Sequence, residues 1–437
     1  MKKRNLFLAL ASGMVMFSAC SNDEGLMDDA NVNAASDAQQ IVLQVANTGG
    51  DMKMRAGRPM LGEQPGQQID NVQVIICNKD NSQILYTETV NNWNTDGVSE
   101  KYANGREAVI EIPTAKKLTP GTYKVYAFGY SNNSNYEKAA TATAAEGTFT
   151  ENPILQLKAN TEVEEIFAGE MDLTVEQNKN KNKAKGFKKP VVLNRQVAGA
   201  YTYVKDIPYL KGAAKLRLVA STCNTQLVLG AFNSFDLTGN GANNDANVKY
   251  VVNGTKADAS NKVLYEINLT DWFNEVKDTD GDFIIDGGDN WKWNTNNPTG
   301  PKYVNGSVFG GRFVIPFQKA DANSLELQLT NNDGSKVLRT WVIKLTKTTQ
   351  TLTAWSDNAF GLVSNYQEDA YKYSVVRNHL YGVGKRTFDG TPTDPNPDPN
   401  PETEKPGTNE PESLNNKQEL ILRVNDNWEV IHDMEIE

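Results

Sequence analysis

Short runs in which every second residue is apolar recur along the chain, and turn-forming residues break each one. Val72, Val74 and Ile76 alternate in one run. Tyr123, Val125, Ala127 and Gly129 follow the turn Thr119-Pro120-Gly121. Leu216, Leu218 and Ala220 form another run, as do Phe313, Ile315 and Phe317, and Leu325, Leu327 and Leu329. Trp341, Ile343 and Leu345 follow the turn Asn332-Asp333-Gly334. A period of two places neighbouring side chains on opposite faces, so each run is a strand with one buried face. Strands of this size at regular spacing predict antiparallel β-sandwiches. Two stretches, 161–168 and 270–276, read as helix. The 437 residues suffice for two to three average domains. A boundary is expected near 222, where a strand run gives way to a polar, Asn-rich region.

The two ends differ from this body. Residues 1–20 carry a basic start, Lys2, Lys3 and Arg4, then an apolar run from Leu6 to Phe17, then Cys20. This predicts a secretory signal, too short to span a membrane. Phe17-Ser18-Ala19-Cys20 resembles a lipobox, which makes Cys20 the candidate lipidation site, and the polar Ser21-Asn22-Asp23-Glu24 reads as a tether. Near the other end, 389–411 is rich in Pro, Asn and Asp. Repeated proline favours an extended, semi-rigid chain. The sequence then resumes a strand pattern in 418–437. Leu420, Leu422 and Val424 share one face, and after a turn at Asp426-Asn427 so do Trp428, Val430, Met434 and Ile436. A strand on a long tether either folds back onto its own domain or adds itself to an open sheet edge of another molecule.

Several function classes are disfavoured. With 44 basic and 54 acidic side chains the formal charge is −10, so no cationic surplus exists to neutralise phosphates, and nucleic acid is not expected as a partner. Two histidines, His379 and His432, leave little room for a histidine metal site or triad. No GxSxG, HExxH or Walker-type loop is present, and no enzyme activity or required cofactor is expected. Cys77 and Cys223 lie in or at the end of apolar runs, and pairing or two buried thiols are both open. The six lysines of 178–189 read as a solvated hairpin. Asp278, Asp280, Asp282, Asp286 and Asp289 have the oxygen spacing of an acidic calcium loop, though Phe283 stands where an EF-hand has its turn glycine. The same pattern serves as an ordinary acidic surface loop. Trp93, Trp291 and Trp293 stack on sugars only if exposed, and otherwise pack.

Together these features resemble the fimbrillins of Bacteroidales type V pili, FimA-type proteins, and most of all the shaft subunit of the minor fimbriae. The resemblance rests on the lipoprotein start, Met54-Arg55-Ala56-Gly57, the strand NVQVIICN, LNRQVAGAYTYVKDIP at 193–208, YSVVRNHLY at 373–381 and the tethered last strand. It implies two tandem, transthyretin-like β-sandwiches, 56–222 and 223–388, with a Pro-rich linker 389–417 and a donor strand 418–437. By that resemblance 1–20 is a signal removed at a palmitate-bearing Cys20, and 21–55 is a propeptide. An Arg-specific protease would cut Arg55-Ala56 and release the strand carrying Ile41, Leu43 and Val45. A neighbour's last strand would fill the opened groove and build a homopolymer in cell adhesion, biofilm formation and virulence. The implied partners are accessory fimbrial subunits and surface receptors. The implied location is the outer membrane for the precursor and extracellular fimbriae for the mature form. A tip or anchor subunit and a glycan-binding surface lipoprotein are the alternative readings.

Overall fold

The computed structural model describes residues 37–46, 69–80, 82–102, 105–137, 147–150, 153–178, 183–230, 251–258, 262–292, 303–317, 325–345, 353–356, 361–363, 375–386, 409–415 and 419–425. Nearly all regular structure among them is strand. The alternating runs form strands as expected, and the opening motif NVQVIICN is one of them, Asn71–Asn78.

The first group comprises β1 (Gln39–Ala46), β2 (Asn71–Asn78), β3 (Ile84–Asn91), β4 (Glu100–Tyr102), β5 (Gly105–Glu111), β6 (Gly121–Tyr130), β7 (Phe167–Val175) and β8 (Phe187–Arg195). Their order is β3-β2-β6-β7-β8-β1-β5-β4. β7 and β8 pair only at Asn194↔Ala168 and Arg195↔Phe167, so the path turns a corner there. Both halves face one core. Ile41, Leu43, Ile110, Val191 and Leu193 come from one side, and Val72, Val74, Val125, Phe167 and Leu173 from the other. Each is at most 4% exposed, which is the sandwich arrangement that period-two alternation requires.

The second group comprises β9 (Ala198–Lys205), β10 (Lys215–Ala220), β11 (Lys262–Asn268), β12 (Val308–Val314), β13 (Leu325–Thr330), β14 (Val337–Leu345), β15 (Leu380–Val383) and β16 (Glu419–Asn425). Their order is β11-β10-β13-β14-β16-β15-β9-β12, with Glu412–Ser413 added beside β9. The two ends of this path face one another, since a Cβ on Gly310 of β12 would meet Ile267 of β11. Leu216, Leu218, Leu327, Trp341, Phe317 and Tyr381 fill the space between.

A third, four-stranded sheet runs Gly254–Asp258, Cys223–Val228, Ile154–Leu157, Tyr136–Glu137. It covers the outer face of β2 and β6, where Ile75, Tyr126, Phe128, Leu155 and Leu227 cluster with Ile315. Cys77 belongs to this cluster, whereas Cys223 packs against the core of the second sheet. The chain changes from first to second sheet between Arg195 and Ala198, upstream of the boundary expected near 222. Just past 222 it returns toward the first half, because Cys223–Val228 pairs with Ile154–Leu157.

Two expectations need correction. Residues 161–166 are irregular and Phe167 and Ala168 open β7, so no helix forms over 161–168. The carboxylates of this segment are drawn into tertiary contacts. Glu164 accepts hydrogen bonds from Ser131 Oγ, Ser134 Oγ and the Asn135 amide, and Glu165 is paired with Arg195. Of 270–276 only the end of the short helix Leu269–Trp272 is helical. The sheets are also not purely antiparallel. β1 runs parallel to β8, β16 parallel to β14, and β9 parallel to β15. Parallel neighbours need long connections, and β1 and β16 reach their places from the two ends of the chain.

Candidate functional site

β1 occupies the middle of its sheet. Seven register pairs join it to β8 in parallel, from Gln39↔Phe187 to Val45↔Leu193. Seven more join it to β5 antiparallel, from Gln40↔Glu111 to Ala46↔Gly105. Ile41, Leu43 and Val45 point inward and are 0%, 0% and 1% exposed. Gln39 fixes the start of the strand. Its Nε2 donates to the Leu118 carbonyl at 2.9 Å and its Oε1 accepts from the Leu118 amide at 2.7 Å. Gln40 and Gln44 donate across to Glu111 and Glu107 of β5. Taking β1 away strips one edge each from β8 and β5 and opens the core along its length.

β16 is the described part of the segment singled out at the C-terminal end. It lies inside the sheet of its own chain, with four register pairs to β14 and four to β15. Leu420 is 1% exposed. The chain reaches β16 along the far end of β9, where Glu412 and Ser413 pair with Val204 and Lys205 and the Leu414 amide donates to the Lys205 carbonyl at 2.9 Å. Leu414 is fully buried. The side chains of Leu422 and Val424, and all of Trp428, Val430, Met434 and Ile436, lie outside the described residues. So do Cys20, Arg55 and Ala56.

The two sheets meet at a buried polar junction that strand periodicity does not announce. Arg195 Nε donates to Glu165 Oε1 at 2.6 Å, and Arg195 Nη1 donates to Asn378 Oδ1 at 3.1 Å. Arg195 also lies over the Phe167 ring, 5.2 Å from its centroid. The Asn378 amide donates to the Val197 carbonyl, and the Gly199 amide to the His379 carbonyl. Gln196 extends the network, its carbonyl accepting from Asn253 Nδ2 and its Oε1 from the Gly230 amide. Burial holds the Arg377 guanidinium down at about 9 and the His379 imidazole down at about 4. Arg195, Gln196 and Val197 belong to 193–208, and Arg377, Asn378 and His379 to 373–381, two of the segments on which the resemblance rests. Their common signal is polar residues inside apolar runs.

Asp278, Asp280 and Asp282 converge, with carboxylate oxygens within 4.8 Å of one another. Asp286 turns back onto its own loop and accepts from the Gly288 amide. Asp289 departs from the expected ligand set. It is fully buried, and its carboxylate accepts from the Thr279 hydroxyl and amide and from the Asp286 amide. Asp278 likewise accepts from the Gly281 and Phe283 amides. These carboxylates hold the loop's backbone, which is the alternative acidic-loop reading. A Ca²⁺ role stands only on Asp278, Asp280 and Asp282. Trp93 is 1% exposed and part of the first core, so it offers no platform to a sugar. Trp291 packs at the edge of the second core and donates from Nε1 to the Ser307 carbonyl. Trp293 lies outside the described residues. The lysine-rich segment is a hairpin at its base, where Gln177–Asn178 pairs with Lys183–Ala184.

No protein-family model and no curated protein sequence matches this chain. Among solved structures it is similar to a fimbrial assembly protein from Parabacteroides distasonis, at 13% identity and a TM-score of 0.34 over 79% of this chain and 89% of that one. It is similar to the tip fimbrial protein Mfa3 from Porphyromonas gingivalis, at 11% identity and a TM-score of 0.35 over 80% and 96%. It is also similar to the fimbrial anchor protein Mfa2 from the same organism, at 10% identity and a TM-score of 0.33 over 69% and 81%. Likeness at this level carries no functional argument, which rests instead on the chain's own strands.

Proposed function

We propose that this protein is a structural subunit of a surface fimbria that polymerises by strand exchange after proteolysis. The observation that supports it is the position of β1, which is fully built into the core yet leads to the rest of the chain only through 47–68. A cut at Arg55-Ala56 leaves it bound by non-covalent contacts alone. Its departure exposes two sheet edges and an apolar groove, a state that favours capture of another strand.

The exchange is favourable in magnitude. In its own sheet β16 has four register pairs on each side, whereas the vacated β1 slot offers seven on each side. Each backbone hydrogen bond gained adds about 0.5–1.5 kcal/mol. Burying Trp428, Val430, Met434 and Ile436 adds roughly 6–12 kcal/mol before ordering costs. Once β16 leaves its slot, Leu414 is the last fixed point of the tail, and 416–437 then spans up to ~70 Å at ~3.3 Å per residue. Donor and acceptor surfaces differ, so joining is head-to-tail and need not close. Signal removal and lipid at Cys20 place the precursor on the outer membrane in this reading, and the cut frees the subunit for the shaft, with adhesion as its role. A patterned last strand fits a shaft subunit better than a tip subunit, and a cleavable Arg55 fits it better than an anchor.

The test is negative-stain microscopy after digestion with an Arg-specific protease. The native chain forms rods, whereas Arg55→Ala and a deletion of 418–437 leave monomers. Rods from Arg55→Ala, or none from the native chain, overturn the reading.

A further inference from the structure

A cluster of lysines and a cluster of aspartates lie at opposite ends of the path that runs through β8 and β9. β8 begins beside the hairpin bearing Lys183 and Lys185, continues through Lys188 and Lys189, and runs to Arg195 at the junction. These four lysines are exposed. The same end holds the start of β1, where the Phe187 amide donates to the Ala38 carbonyl and Lys117 Nζ to the Asp37 carbonyl. Glu176, which pairs with Lys185 at 3.4 Å, Asp37, and Glu111, which faces Gln40, are among the acidic groups there. β9 leaves the junction at Ala198 and runs the other way, to Lys205. Beyond it Ile207 and Pro208 pair with Ile285 and Ile284, and the Tyr209 amide donates to the Phe283 carbonyl. The aspartate loop is therefore fixed to the end of the second sheet that lies away from the first. Lys211 and Lys277 flank it.

The loop presents more than charge. Phe283 is 74% exposed, the most exposed large apolar side chain among the described residues. Its backbone is held at a φ of 64°, a left-handed conformation unfavourable for a bulky residue. Asp278 accepts from its amide and Tyr209 donates to its carbonyl, so the ring is held outward by its surroundings. Leu414, where the tail is last anchored, binds the same end of β9. The tail thus departs from the acidic end, and the β1 slot opens at the lysine end.

We infer that the Asp278–Asp289 loop of one copy docks on the lysine-bearing end of the next copy, with Phe283 as its apolar contact, before the strands exchange. This rests on the strand-exchange reading for its purpose, but docking is measurable without exchange. Opposite charges on matched surfaces raise encounter rates and fix orientation, and added salt weakens both.

The test uses four chains: native, Asp280→Lys/Asp282→Lys, Lys185→Glu/Lys188→Glu, and all four changes together. Sedimentation of the untrimmed chains at low and high salt reads docking, and the rate of rod formation after Arg-protease trimming reads exchange. We expect salt-sensitive self-association of the native chain, its loss in both single-end variants, and its return when both ends are reversed. Rod formation should slow about tenfold in the single-end variants and recover in the fourth chain. Phe283→Ser, which removes only an exposed ring, should also slow assembly and guards against misfolding of the charge variants. Equal behaviour of all chains, or no recovery on double reversal, overturns the inference while leaving strand exchange intact. Salt-sensitive docking with no rods after trimming supports the inference and removes strand exchange.

Discussion

Arg195 and Glu165 form a 2.6 Å ion pair with side chains 3% and 1% exposed, at the point where the chain passes from its first sheet to its second. A charge that far from water is tolerated because its partner and its hydrogen bonds replace the lost hydration. Arg195 is shared with Asn378, more than 180 residues away in sequence, so the pair also ties the last third of the chain to the end of the first sheet.

Removing one partner should therefore cost more than the contact itself is worth. Glu165→Leu strands the Arg195 charge, and a loss of ~3–5 kcal/mol is expected. The double variant Glu165→Leu/Arg195→Met removes both charges and should recover part of that loss. Urea unfolding of the two variants checks the order. Equal stability of Glu165→Leu and the native chain refutes it.

The same junction predicts a pH dependence. Burial depresses the His379 imidazole from 6.5 to about 4. Its Nδ1 lies 2.7 Å from the Arg377 carbonyl, which suits a neutral ring donating a proton there. Above pH 6.5 the histidine is neutral in both folded and unfolded chains and has no effect. As pH falls from 6.5 towards 4 the unfolded chain takes up a proton that the folded chain refuses, so stability falls. The loss reaches roughly 3 kcal/mol near pH 4 and is flat below it. His379→Asn should flatten this slope in denaturation midpoints measured from pH 7 to 4. An unchanged slope places the titration elsewhere.

A core substitution in β1 separates the precursor from the trimmed chain. Leu43→Ala creates a cavity in the first sandwich and should destabilise the untrimmed protein by ~2–5 kcal/mol. Once the strand is cut away and replaced, residue 43 is no longer part of the assembled subunit. Rods made from Leu43→Ala should then resist urea as native rods do. Equal destabilisation of precursor and rods would mean that β1 never leaves.

The contrast between what the sequence disclosed and what it hid follows from the range of the interactions. Alternation at Val72, Val74 and Ile76 or at Leu325, Leu327 and Leu329 is local, and it located strands and their buried faces. The inward face of Ile41, Leu43 and Val45 was legible for the same reason. The pairing partners of β1 and β16 were not, because parallel neighbours arrive from distant parts of the chain and leave no local mark. The 161–168 segment misled because what holds it irregular is not local: the partners of Glu164 and Glu165, Ser134 and Arg195, each lie 30 residues away in sequence. The aspartate loop was visible as a cluster. That Asp289 is buried as a backbone acceptor depends on where Thr279 folds, which spacing alone does not encode.

The polarity of the donated strand follows from the positions of the two ends. In the proposed docking the tail leaves from Leu414 of one copy and meets the lysine-bearing end of the next, where β1 begins at Gln39. A strand fed in from that side runs in the direction of β1, parallel to β8 and antiparallel to β5. The start of the donated segment then lies near Lys188 and its finish near Asn194. Cysteines at Asn427 and Lys188 should form an intermolecular disulfide in assembled rods, as should a pair at Asp433 and Asn194, six residues further along each strand, while the crossed pairs Asn427 with Asn194 and Asp433 with Lys188 should not. The test is made with Cys77 and Cys223 replaced by alanine, read as dimers on a non-reducing gel. Crosslinking in the crossed pairs alone would reverse the strand, and would mean that the tail enters from the junction side of its neighbour.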